Sequence, residues 1–327
     1  MNSIKIFGKF LDQPILISKL EKTMPIILTS AAAVKVGYDY YQTSKKSEGK
    51  TKQQKELLKK DFTKKAIVTM AAVASAVSTP KILGKFFDKK PTEILSSDKI
   101  DKFVSENNID EKTTEILNKA KNKVLSLNEV KHLSDKFEKL KNGSEFFNKL
   151  IPDPKNISSK EIFSEIGYLS AYGAIPVIGG VLGGVAADIV TKDDPKKNIS
   201  DKISEAVYQY LANIFMCNVG AGIALEILEK AKITSKSARA LGMTAGIVLT
   251  GILGGSKIAN FISKKIINPI VSPNKKIKER KPEPLDICLH TDDIATVAVL
   301  SGLKWIEPCL PVLYSVSGYR AGTGYRN

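Results

Sequence analysis

The 22 residues from Ile166 to Ala187, IGYLSAYGAIPVIGGVLGGVAA, contain no charge. A helix rises about 1.5 Å per residue, so this run covers the roughly 30 Å hydrocarbon core of a bilayer. No other feature narrows the fold as much. Two more uncharged runs follow, 20 residues from Ala206 to Leu225 and 17 from Ala240 to Ser256, the latter continued past Lys257 by the apolar turn IANFI. The alternative is a soluble protein with buried central helices, which runs shorter than about 18 residues also fit. Glycine argues against it, because an interior Gly costs a soluble helix about 1 kcal/mol relative to Ala.

In lipid, small residues let helix backbones approach closely, and that contact drives association. Four pairs have the four-residue spacing that puts two glycines on one helix face: Gly179 and Gly183, Gly180 and Gly184, Gly242 and Gly246, Gly251 and Gly255. These eight are the expected helix-packing residues. Gly180-Val-Leu-Gly-Gly184 also matches Gly251-Ile-Leu-Gly-Gly255, and one span between them would make both copies cross in the same direction. Chance likeness between two Gly-rich apolar runs is the plainer explanation.

Mean hydropathy over the chain is only −0.08, so the remainder must be polar. The first half holds two weaker spans. Met24 to Tyr41 contains Lys35 and Asp39, spaced to neutralise each other on a helix, and Ala66 to Thr79 is followed by Pro80 and Lys81. Either can cross with flanking lysines reaching for headgroups, or both can lie flat at the interface; crossing is the reading favoured here. Near them recurs a short motif, Ile6 to Asp12 and Ile82 to Asp88, whose apolar face suits either an interfacial wedge or docking on protein. Asp12, Gln13 and Pro14 interrupt the N-terminal apolar stretch, so no cleaved leader is expected.

From Pro91 to Lys160 the chain becomes rich in Lys, Glu, Asp and Asn, with helical periodicity at Val130, Leu133, Phe137 and Leu140 ahead of an expected helix end at Gly143. Lysines and acids nearly balance there, so the region reads as a soluble helical insert able to meet a protein partner, not as a nucleic-acid patch. The last apolar stretch is broken. Ile294 to Leu303 is interrupted by Lys304, Trp305 and Glu307 before Pro308 to Tyr319 resumes, the pattern of a kinked or re-entrant span. The tail repeats Gly-Tyr-Arg and reads as a flexible end.

Charge placement gives a topology. The chain carries 50 Lys and Arg against 34 Asp and Glu, a net +16. With six spans, residues 42–65, 191–205 and 263–286 hold 20 Lys and Arg, against ten in the N-terminal tail, 229–239 and the segment after 319, with the long insert excluded because long loops obey the rule poorly. That bias places both termini outside the cytoplasm and leaves the excess charge for anionic headgroups.

Chemistry is sparse. No phosphate loop, dinucleotide fingerprint or nucleophile elbow occurs, so no enzyme activity and no cofactor are expected. The three Cys (Cys217, Cys288 and Cys309) are an odd number inside apolar stretches and suggest neither disulfides nor zinc. The string Cys288-Leu-His290-Thr-Asp292-Asp293 gathers metal-capable side chains without a second cluster to complete a shell, so no metal is expected. His290, Asp292 and Asp293 are instead read with Lys304 and Glu307 as the candidate polar site. A polar pair in a broken span is where transporters often bind solute.

The expected fold is all-α, a polytopic helical membrane bundle with an inserted soluble helical region. It divides into a membrane-associated hairpin (1–90), the insert (91–160) and a glycine-rich transmembrane core (161–327). A transport or pore-like role is expected, with a membrane scaffold presenting the insert to a partner as the alternative.

Overall fold

The computed structural model describes residues 3–87, 94–140, 142–152, 159–233, 236–273, 279–281 and 304–324. Among them every regular element is a helix. Four helices are long and apolar enough to cross a membrane: Lys52–Leu83, Ile162–Val190, Pro195–Lys230 and Leu241–Val271. The fold is an all-α bundle that fits an integral membrane protein.

The chain opens with α1 (Ser3–Leu11) and α2 (Pro14–Ser47), then turns back as α3 (Lys52–Leu83). Gly49 makes that turn with φ +70, a conformation side chains disfavour. Thr51 starts α3 through a capping box with Gln54, each side chain meeting the other's backbone N–H. Lys35 and Asp39 form the expected pair on α2. Because Lys19, Glu21, Lys22, Lys35 and Asp39 interrupt it, α2 is not among the four long apolar helices, and only α3 of the two expected N-terminal spans qualifies.

Four short helices follow: α4 (Ser97–Glu106), α5 (Glu111–Ala120), α6 (Leu127–Phe137) and α7 (Gly143–Leu150). They close on a core of their own, in which Ile100, Leu117, Val130, Leu133 and Phe137 are fully buried and Phe103 stacks on Phe146 at 3.7 Å. The predicted stripe on α6 faces this core, but Gly143 opens α7 instead of ending α6. The positive φ of 60° falls on Asn142.

The core also recruits α1. Ile6 is part of it, the buried Lys9 donates to Asn148 and to the Ile151 carbonyl, and Gln13 exchanges hydrogen bonds with both main-chain groups of Leu125 at 2.9 and 2.7 Å. So the first copy of the wedge motif docks on protein, and α1 packs with the 91–160 region although sequence order groups it with α2 and α3.

The remaining helices among the described residues are α8 (Ser159–Val190), α9 (Pro195–Lys230), α10 and α11 (Leu310–Thr323). α10 is continuous through Lys236–Ile247, Val248–Gly255, Ser256–Ile262, Ser263–Ile267 and Asn268–Val271. Helix α9 carries a π-helical turn at Leu211–Phe215, and α10 has two, at Val248–Gly255 and Ser263–Ile267. Ile178, Leu182 and Ile189 on α8 and Leu241, Leu249, Leu253 and Phe261 on α10 are each more than half exposed. In water they would form an apolar surface far larger than a soluble monomer tolerates, whereas lipid covers them at no cost.

The bundle has two unlike ends. Helices α2, α8, α10 and α11 run away from the soluble helices, and α3 and α9 run back. At the far end meet the α2–α3 turn, the α8–α9 link and the C-terminus of α11, where Gly324 abuts Lys202. Residues 42–65, 191–205 and 263–273 lie there, so we call it the basic end.

Candidate functional site

The glycine pairs sit where helices touch through their backbones. An added Cβ on Gly180 or Gly184 would overlap the carbonyls of Gly318 and Gly322 on α11, and Gly322 in turn faces the Gly180 carbonyl. Gly179 and Gly183 meet Ser75 and Ala71 of α3. Across the second interface Gly246 faces Gly220, Gly251 faces Cys217, Gly255 faces Ala212 and Gly242 meets the Leu228 side chain. The two similar stretches thus run in the same direction, but one is α-helical and packs on the parallel α11 while the other is π-helical and packs on the antiparallel α9. Gly318 and Gly322 belong to the tail read as a flexible end. Its described part is helical to Thr323 with Gly318 and Gly322 buried, and their four-residue spacing was the signal.

The broken C-terminal stretch is a 3₁₀ turn, Lys304–Cys309, leading straight into α11. Glu307 lines a cavity of about 210 Å³ near the soluble helices, together with Glu21, Met24 and Pro25 of α2, Pro80 of α3, and Tyr168 and Tyr172 of α8. Two carboxylates and two aromatic faces from four parts of the chain therefore border one hollow. The side chain of Lys304, and His290, Asp292 and Asp293 entirely, lie outside the described residues.

Sequence reasoning missed the charges inside the basic end. Asp188 is 1 % exposed and is held by Lys64 at 2.7 Å and by the buried Lys202. Lys64 and Lys60 continue to Asp193 in the α8–α9 link. The Lys60 and Lys64 ammonium groups bring the Asp193 carboxyl down to a pKa of about 2 from 3.8. A lone carboxylate at the depth of Asp188 would cost several kcal/mol in lost hydration, which two lysines offset.

Beside this ladder lies a second buried group on α9. Glu205, fully buried, accepts a hydrogen bond from the Gln209 side-chain amide at 2.8 Å, and Gln209 Oε1 accepts from Asn213 Nδ2 at 3.0 Å. Arg280 and Arg320 approach the Glu205 carboxylate at 3.4 and 3.9 Å. Asn218, near Ser170 at 3.5 Å, prolongs the stripe. The steps are four, four and five residues, and the five-residue step crosses the π turn at Leu211–Phe215, where one extra residue per turn returns Asn218 to the same face. A polar stripe thus enters a helix whose sequence reads as apolar.

Comparison with protein families, with curated proteins and with solved structures found no match.

Proposed function

We propose that this chain is a multi-pass membrane protein with a transport or pore-like role, and that the hollow between Glu21, Glu307, Tyr168 and Tyr172 is where a solute enters. The observation that supports this reading is the cavity: its lining comes from α2, α3, α8 and the turn before α11, which leads into the α8–α11 interface where glycine backbones touch. A tightly filled bundle would leave no such space. Helices that slide on glycine faces can shift by small amounts without unlocking side chains, a property suited to alternating access. In this reading the exposed Lys45, Lys46, Lys52, Lys55 and Lys59 at the basic end face anionic headgroups, and no nucleic acid, cofactor or catalysis is involved.

The test is reconstitution of the full chain into vesicles and measurement of solute uptake, with Glu307→Gln and Glu21→Gln beside the parent protein. Faster uptake than in empty vesicles, reduced by either substitution, supports the reading. Uptake equal to that of empty vesicles for cations, anions and neutral solutes sinks it.

A scaffold reading also has its own support, the separately cored helices α4–α7 at one end of the bundle. It calls for a protein captured through exposed faces of those helices, with impermeable vesicles.

A further inference from the structure

Arg280 follows α10, between the exposed Glu279 and Lys281, yet is itself only 1 % exposed. Burying a guanidinium strips hydration that only well-placed partners restore. Three features converge on it. Glu205 faces its Nε at 3.4 Å, and the Tyr208 ring lies 5.1 Å from its central carbon, within cation–π range. Asn260 of α10 grips its backbone, accepting from the Arg280 N–H at 2.9 Å and donating to the Arg280 carbonyl at 2.8 Å.

Each wall is braced without Arg280. The Tyr208 hydroxyl meets Ser256 Oγ at 3.2 Å, and Glu205 is held by Gln209 and faced by Arg320. One side-chain amide that satisfies both main-chain groups of a single residue reads an extended peptide, while a carboxylate beside an aromatic face reads a planar cation. The chain has built a receptor and filled it with its own residue.

We infer that the hollow between α9 and α10 bounded by Glu205, Tyr208 and Asn260 is a guanidinium-binding site. Arg280 occupies it as a tethered ligand, and a free guanidinium compound can replace it. Glu205 also heads the Glu205–Gln209–Asn213 stripe, so the seated Arg280 stoppers that stripe at the basic end. This site stands whether or not the bundle moves a solute.

The experiment uses the full-length protein in detergent, with Arg280→Ala and the double variant Arg280→Ala/Glu205→Gln. Thermal unfolding is followed against guanidinium chloride in the low millimolar range, with methylammonium chloride and sodium chloride as matched cations. Arg280→Ala should gain a rise in midpoint with guanidinium alone that grows with the logarithm of its concentration, about 5 °C at roughly a hundredfold excess over Kd. The parent protein and the double variant should show none. A folded Arg280→Ala that responds no more to guanidinium than to methylammonium overturns the inference. So does an equal rise in the parent or in the double variant, which would place binding elsewhere. Should Arg280→Ala fail to fold, Arg280→Lys keeps the positive charge without the planar fork and takes the same titration. The lack of a guanidinium-specific rise there is equally fatal.

Discussion

At Gly180 a single missing methyl decides how two helices meet. Its Cα lies against the Gly318 carbonyl, so Gly180→Val forces α8 and α11 apart and should cost about 1 to 3 kcal/mol or more through overpacking, read as a lower unfolding midpoint in detergent. Gly37 in α2 is the contrast. Nothing lies within 4 Å of the Cβ it would gain, so Gly37→Ala should stabilise by roughly 0.5 to 1 kcal/mol on helix propensity alone. Equal losses from both substitutions would contradict the packing. The four-residue glycine spacing was readable in advance because it needs only helix geometry. Which partner each glycine meets was not readable, since Gly318 and Gly322 straddle the end of the last apolar stretch, with Tyr319 and Arg320 between them. Asp193 offers a pH test at the same scale. Its folded pKa, about 2, lies below the ordinary 3.8, so the stabilisation it gives is complete above about pH 4 and is lost as pH falls from there towards 2. Asp193→Asn should therefore flatten that limb of a midpoint-against-pH curve while leaving the region above pH 5 parallel to the parent.

Among the elements, α9 was the most misleading. Twenty uncharged residues announce a helix long and apolar enough to cross a membrane, but charge is a poor guide to polarity, since Gln209, Asn213 and Asn218 lie within the run and Glu205 just before it. Their shared face emerges only with the π turn, which no local sequence signal announces. The helix α1 misled in another way. Its apolar face was legible, but whether lipid or protein would cover it depends on partners more than 110 residues away, and a periodic pattern holds no information about them. Gln13 is the hinge of that docking, with both Leu125 main-chain groups on its amide. Gln13→Ala leaves those buried groups unsatisfied and should cost about 1 to 3 kcal/mol. Hydrogen exchange locates the loss: protection should fall in α1 and around Leu125 and stay unchanged in α8 and α9. A uniform loss across the bundle would mean that α1 supports the membrane helices directly.

For the whole molecule, counting charges by loop gave the right basic segments and the wrong place for one terminus. Residues 42–65, 191–205 and the start of 263–286 do share one end of the bundle. The count put the C-terminus at the opposite end because it took the final stretch as one more alternating crossing, whereas α11 runs parallel to α8 and delivers Arg320 and Gly324 to the basic end. The N-terminal α1 stays with the soluble helices, so the described ends of the chain lie at opposite ends of the bundle. In a bilayer the positive-inside tendency then predicts that the basic end, with the end of α11, faces the cytoplasm and that α1 and α4–α7 face away from it. Single cysteines at the exposed Phe7 and Thr323, in a background lacking the three native Cys, test this in sealed vesicles of known orientation. A membrane-impermeant maleimide added outside should label one position at once and the other only after permeabilisation. Labelling of both from the same side would refute the parallel arrangement of α8 and α11 across the membrane. Release of the protein by alkaline carbonate would refute the crossing itself, and with it the reason that α8 and α10 expose so many large apolar side chains.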